Sequence, residues 1–379
     1  MDWTALRNEF PVTRRWKFFD HAAVAPLTAR AQKALVDWAA DIAENGLVHE
    51  KQWLQRVEET RGLAAKLIGA DPLDIAFIKN TSEGIGIVAE GFRWKAGDNM
   101  VTAAEEYPAN IYPWMNLRDR GVEVRRVPSQ GNRLEIADLR AAMDNRTRLV
   151  SLSSVEFSSG FRNDLTTVGS LCRERGAYFF VDAIQSLGVM PLDVRQTPID
   201  FLAADGHKWM LGPEGAGFFF IRRELIDLLH PVGIGWNSVQ GARDSARIDF
   251  QLKPHAGRWE SGTLNVAGIT ALGASLGLLH QIGLEEVGDR VEQLTDYLCE
   301  QTQRKGLGVF SSRRHADKSG IVSLVVSGAE PQCIKRSCRE AGVIINHRAG
   351  RVRVSPHCYN THEEIDELLA LLQEGSQGR

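Results

Sequence analysis

"FLAAD" at residues 201–205 runs directly into "GHKWMLGPEGAGFFFI" at 206–221. An apolar run ends on polar residues around Lys208, crosses a glycine-studded loop and returns as a second apolar run. After so short a loop, the return run is expected to lie antiparallel to the first within one sheet.

Upstream, β-rich runs recur as "IAFI" (75–78), "NMVTAA" (99–104), "VEVRRV" (122–127), "RLVSLSSV" (148–155) and "AYFFVDA" (177–183). Most are separated by helix-length polar or mixed segments. Parallel neighbours need such crossovers, so the alternation predicts an α/β fold with a mainly parallel sheet and helices on both faces. Residues 30–46 place Leu35, Trp38, Ala39 and Ile42 on one helical face and close on Asn45-Gly46; a second helix is expected over 51–69.

From about residue 236 the texture changes to a loop-like stretch, the helical "GITALGASLGLLHQIG", strands "GIVSLVV" and "GRVRVSP", and a last helix. In "NTHEEIDELLALL", Thr361 precedes Glu364 by the spacing of a capping box. The expected division is a large domain over 16–265 and a smaller α/β domain built from 1–15 and 266–379.

The 379 residues carry a net charge of -3, with neither sign gathered into long blocks, so neither a nucleic-acid nor a membrane partner is expected. No apolar run approaches the roughly 20 residues that span a bilayer, and the N-terminus has no secretory h-region; a cytoplasmic location is the expectation. The five cysteines form no CxxC pair and suit free thiols, not a zinc site or a disulfide framework. In "HCYNTH" (357–362), Thr361 and His362 read better as a helix start than as metal ligands.

In open α/β sheets ligands bind beyond the carboxyl ends of the strands. After "IAFI", Thr81 and Ser82 stand at a helix start with Gly84 and Gly86 close behind, either a simple N-cap or an anion cradle. After "YFFV", Asp182 precedes Gln185 by three residues; it either caps a helix or holds a protonated ring nitrogen. Lys208, beside His207, is either a salt-bridge partner or a desolvated amine that attacks carbonyls. No GxGxxG follows the first strand and no GxxxxGK[ST] occurs, so a dinucleotide or P-loop reading lacks its main support. An aldehyde cofactor with a phosphate tail and a ring nitrogen needs an amine, an anion cradle and an acid, and pyridoxal 5'-phosphate has those needs.

With "NTSEG", "EEYPANIYPW", "FVDAIQSLG", "ADGHKWMLGPEG", "RWESGTLN" and "RVRVSPHCYNT" in this order, the chain resembles the class V aminotransferases. These are fold-type I pyridoxal-phosphate enzymes, a family that also contains cysteine desulfurases, selenocysteine lyases and isopenicillin N epimerase-like proteins. The resemblance runs from "FFDHAAVAPL" to "YNTHEEIDELL". It implies that Lys208 links to the cofactor aldehyde, Asp182 pairs with the pyridinium nitrogen and Gln185 faces the phenolic oxygen. Ser82, Thr81, Glu83 and His207 would hold the phosphate, and Tyr107 would cover the ring. Thr263 would reach the phosphate of a second copy, implying a homodimer with a shared site; Arg353 would grip the substrate carboxylate, with His21 beside it.

Three departures accompany the resemblance. "HRAGRVRVSP" is too short to contain the cysteine loop of the desulfurases; Glu156 and Phe157 stand where Ser-Asn is usual; and Asp205 replaces a serine or threonine that assists the phosphate. The implied activity is that of an aminotransferase on a small amino acid, with a lyase or an epimerase as the alternative.

Overall fold

The apolar runs become strands of one sheet. The computed structural model describes residues 1–244, 246, 248–328 and 330–376. In chain order the strands are β1 (Lys17–Phe18), β2 (Ile75–Ile78), β3 (Asn99–Ala103), β4 (Glu123–Val127), β5 (Thr147–Ser153), β6 (Tyr178–Asp182), β7 (Phe201–Asp205), β8 (Gly217–Ile221), β9 (Gly308–Val309), β10 (Val322–Val325), β11 (Val343–Ile344), β12 (Asn346–Arg348) and β13 (Arg351–Val354). Seven of them form a sheet in the order β2-β8-β7-β6-β5-β3-β4. From β4 to β7 every neighbouring pair is parallel, whereas β8 runs antiparallel to both β7 and β2. The expected α/β fold and the antiparallel return strand are both present.

β2, β3, β7 and β8 are buried at every position, which is why they read as unbroken apolar runs rather than alternating ones. One face is covered by the helix Thr81–Gly91, which packs on β7. Close approach depends on Gly84, where a Cβ would sit 2.5 Å from that of Ala203. Toward the other face, helices Ala29–Asn45 and Glu50–Leu67 pack against Val266–Ile282. The first starts where Thr28 accepts from Ala31 N and stops at Gly46, whose φ is 58°.

A second sheet, β12-β13-β10-β9, lies in the C-terminal part, together with the parallel pair β1-β11. Helix Leu284–Arg304 is an element the sequence reading does not contain; it buries Val287, Val291, Leu294 and Leu298, one stripe of a 3.6-residue repeat. Thr361 Oγ1 accepts from Glu364 N while Glu364 Oε2 accepts from Thr361 N, so the capping box forms.

Two segments depart from the expected division. β1 pairs with Val343–Ile344 and Phe19 joins the C-terminal core, although 17–19 fall inside the expected large domain. Helix Val266–Ile282, expected in the small domain, is apolar almost all round because it is enclosed by the core that also holds Val57 and Ala64.

Candidate active site

Five loops at the carboxyl edge of the seven-stranded sheet converge on one cavity of about 300 Å³. Asn80, Thr81 and Ser82 come from the end of β2, Tyr107 from the loop after β3 and Ser153 from the end of β5. Asp182 and Gln185 follow β6, and Asp205, His207 and Lys208 follow β7. The second sheet contributes Arg348 and Arg353. Two larger cavities, of about 1110 and 920 Å³, contain none of Lys208, Asp182 or Arg353.

The loop carrying Lys208 is fixed on both sides. Leu211 N donates to Lys208 O at 3.0 Å, and Leu211 is held at a φ of 61°, an uncommon conformation for a side chain of that size. Ser275 Oγ donates to Leu211 O. Gly188, at a φ of 108°, lets the loop after β6 lie against Trp209, whose carbonyl oxygen would be 2.3 Å from a Cβ there.

Lys208 makes no ion pair among the described residues. Burial pulls its ammonium down to about 8, Asp182 opposes this, and Arg353 and Arg348 reinforce it. Its Nζ lies 5.8 Å from the centre of the Tyr107 ring. Burial pushes the Asp182 carboxyl up to about 6. Asp182 Oδ1 accepts from Ile184 N at 3.0 Å, which leaves Oδ2 without a partner among the described residues.

Asn80 caps the helix Thr81–Gly91 by accepting from Glu83 N. Thr81 Oγ1 accepts from Asp205 N, tying the helix start to the end of β7. Asp205 turns into its own loop: Oδ1 accepts from Gly206 N, and Oδ2 lies 2.8 Å from His207 Nδ1, an ion-pair distance outside hydrogen-bond geometry. Its charge is thus directed at His207. A helix N-terminus flanked by Ser82 and His207 suits a phosphate, and the low-pKa amine and the open Asp182 oxygen suit the aldehyde and ring nitrogen of pyridoxal phosphate.

Arg353 is 1% exposed, donates from Nη1 to Phe157 O at 3.0 Å and pairs through Nη2 with Asp20 Oδ1 at 3.2 Å. Burial pulls it down to about 10, and its Nε has no partner. Gln185 lines the cavity with its amide already engaged: Nε2 donates to Ala22 O, and Oε1 accepts from Trp209 Nε1.

Three expected site residues stand apart from this cavity. His21 lies fully buried and does not line the cavity: Nδ1 donates to Ser355 O, so Nε2 accepts from Tyr359 OH. Burial and neighbouring His357 hold it neutral, which suits a packing role. Glu83 turns back to accept from Lys79 N instead of facing the cavity. Thr263 lines the 920 Å³ cavity beside Trp53 and Trp236.

The structure also shows two buried acids: Glu156, noted in the sequence as a departure, and Glu106, which sequence reasoning did not single out. Glu106 accepts from Ser153 N and Oγ, both at 2.5 Å. Glu156 Oε1 accepts from Asn163, while its Oε2 is buried without a partner. Burial and mutual repulsion push Glu106 well up, and burial pushes Glu156 to about 7. Glu106 directly precedes Tyr107 in "EEYPAN", the only hint of its place that the sequence offers.

The aminotransferase class-V family model matches residues 17–368. The chain belongs to the class V aminotransferases. It is accordingly a pyridoxal-phosphate-dependent enzyme of that family. A probable cysteine desulfurase of Methanothermobacter thermautotrophicus is 30% identical, the match covering 97% of each chain. The apo structure of a cysteine desulfurase from Thermococcus onnurineus superposes with a TM-score of 0.91 at 26% identity, covering 99% of this chain and 98% of that one. C-DES, solved as a lysine-to-alanine mutant with glycine covalently linked to its pyridoxal-phosphate cofactor, is 25% identical with a TM-score of 0.91, covering 97% and 99%.

Proposed function

We propose that the chain activates the Cα position of a small amino acid, with aminotransfer as the outcome. When bound, pyridoxal phosphate supplies an electron sink at Cα. Lys208 would be the residue that holds the cofactor aldehyde and, when free of it, the base at the Cα proton, a task suited to an amine whose pKa is lowered to about 8. Asp182 would hold the ring nitrogen, the second Nε2 hydrogen of Gln185 the phenolic oxygen and Tyr107 the ring; Ser82, Thr81 and His207 would take the phosphate, and Arg353 the substrate carboxylate.

The observation that carries this reading is the turn between β12 and β13. Arg348 pairs with Arg351, leaving Ala349 and Gly350 as a two-residue loop with φ of 47° and 73°. No cysteine fits into that hairpin. Cys172, Cys299, Cys338 and Cys358 are buried, and burial pushes the Cys358 thiol up to about 12. Cys333 is exposed but lies on helix Pro331–Glu340, and among the described residues no cysteine lines the cavity that holds Lys208, so a route that stores sulfur on a cysteine beside the substrate lacks a thiol there.

A lyase that releases its product directly is the second reading, favoured by the desulfurase relatives. The two separate on one assay with the loaded enzyme and a panel of single amino acids. Aminotransfer stops after one turnover until a 2-oxo acid is added; a lyase turns over continuously and frees ammonia or sulfide.

We also propose a homodimer. Thr263 lies away from its own chain's cavity, and Leu47, Val48, Trp236, Ile248 and Phe250 are exposed apolar residues that a second copy would cover.

A further inference from the structure

We infer that the substrate carries a second carboxylate on its side chain and that Arg348 recognises it. This rests on the reading above, in which Arg353 takes the α-carboxylate.

The two arginines are placed by the register of one hairpin. Arg348 is directly opposite Arg351, and Arg353 is two residues further along the same strand. Directly paired residues and every second residue of a strand share a face, so Arg348 and Arg353 lie on one face as diagonal neighbours. Such positions are roughly 7–8 Å apart at the backbone, within reach of both ends of a short dicarboxylate. The tight Ala349-Gly350 turn fixes that register.

Both side chains line the same small cavity as Lys208. Arg353 already has a carboxylate neighbour in Asp20, whereas Arg348 has none among the described residues. Arg348 is anchored through a single nitrogen: Nη1 donates to Asn346 Oδ1 at 3.1 Å and to His347 O at 2.8 Å. Nε and Nη2 remain available, enough for a bidentate carboxylate contact. Diagonal like charges repel, and each lowers the basicity of Lys208. The residues proposed for the phosphate, Ser82 and His207, follow β2 and β7 of the large sheet, whereas Arg348 ends β12 of the other sheet, so the cofactor's anion, assigned to those partners, does not neutralise Arg348. A second anionic group on the substrate does.

The test compares aspartate with asparagine and glutamate with glutamine, pairs that differ in charge but hardly in shape. For the loaded enzyme, kcat/KM is expected to favour the acids by 10- to 100-fold, and Arg348→Gln to collapse that ratio toward one. In parallel, calorimetry should show tighter binding of the unreactive dicarboxylate succinate than of its half-amide, with the difference lost in Arg348→Gln and partly kept in Arg348→Lys. A ratio near one in the unaltered enzyme, or a loss shared equally by acids and amides in the variant, overturns the inference. Equal binding of succinate and its half-amide overturns it as well. Failure of the protein to retain pyridoxal phosphate in borohydride-reducible form is a separate result, which overturns the proposed function.

Discussion

Trp209 Nε1 donates to Gln185 Oε1 at 3.0 Å, joining the residue after Lys208 to the loop after Asp182. Trp209 is fully buried, and its removal leaves a buried amide oxygen unpaired as well as a void. Trp209→Phe is expected to lower stability by about 2–4 kcal/mol in urea unfolding. It should also weaken retention of pyridoxal phosphate, read from the visible absorbance during dialysis.

Lys208 should be the attachment point of the cofactor. Borohydride reduction followed by peptide mass analysis is expected to find the label on Lys208 and to find none in Lys208→Ala. Only the neutral amine attacks an aldehyde, and burial brings the pKa down to about 8. The attachment rate to cofactor-free protein should therefore rise with pH through about 8 and then level off. A midpoint near 10.5 would mean that the amine is not desolvated.

Glu156 gives a signed pH effect on stability. Its folded pKa of about 7 lies above the 4.5 of an ordinary glutamate, so the folded state binds the extra proton. The associated stability is complete below about 4.5 and lost as pH rises through 7. Glu156→Gln keeps an oxygen for Asn163 and removes the titration. Relative to the unaltered protein its Tm should improve between pH 5 and pH 8, by about a few degrees.

Asp20 holds Arg353 at 3.2 Å and also accepts from Asn346 Nδ2 at 2.7 Å. Asp20→Asn leaves a buried guanidinium without its countercharge, and unfolding should show a loss of about 3 kcal/mol. It also removes a competitor for the substrate carboxylate, so KM should fall in the same variant. A rise in KM would assign Asp20 to orienting Arg353 rather than competing for it.

Sedimentation should find a dimer, and Phe250→Asp, which places a charge on the exposed apolar face, should give monomers. If Thr263 acts across that interface, the monomeric variant also loses cofactor more readily on dilution.

The parallel sheet was legible because its strands are buried on both faces and separated by crossover helices, and the convergence of Asp182 and Lys208 on one cavity because both stand at strand ends. The packing of His21 was not legible because "FFDHAA" fixes its chain position but not that its ring turns toward Tyr359. Glu106 and Arg348 were not found because their significance comes from neighbours distant in sequence. Glu106 meets Ser153 only through strand pairing, and Arg348 meets the cavity only through the hairpin register. The extent of β1 was hidden for a similar reason, since a two-residue strand has too little length to show a period.

Lys208 sits in the link between β7 and β8, and β8 is inserted between β7 and β2, so that link is anchored at both ends within the large sheet. Arg348 and Arg353 belong to the other sheet. In the proposed roles, the amine and the two arginines would thus form opposing jaws, and a change in the angle between the sheets would alter the gap that a substrate must span without disturbing the proposed cofactor cradle. Hairpin substitutions can therefore retune which substrate length is accepted while the cofactor end stays as it is.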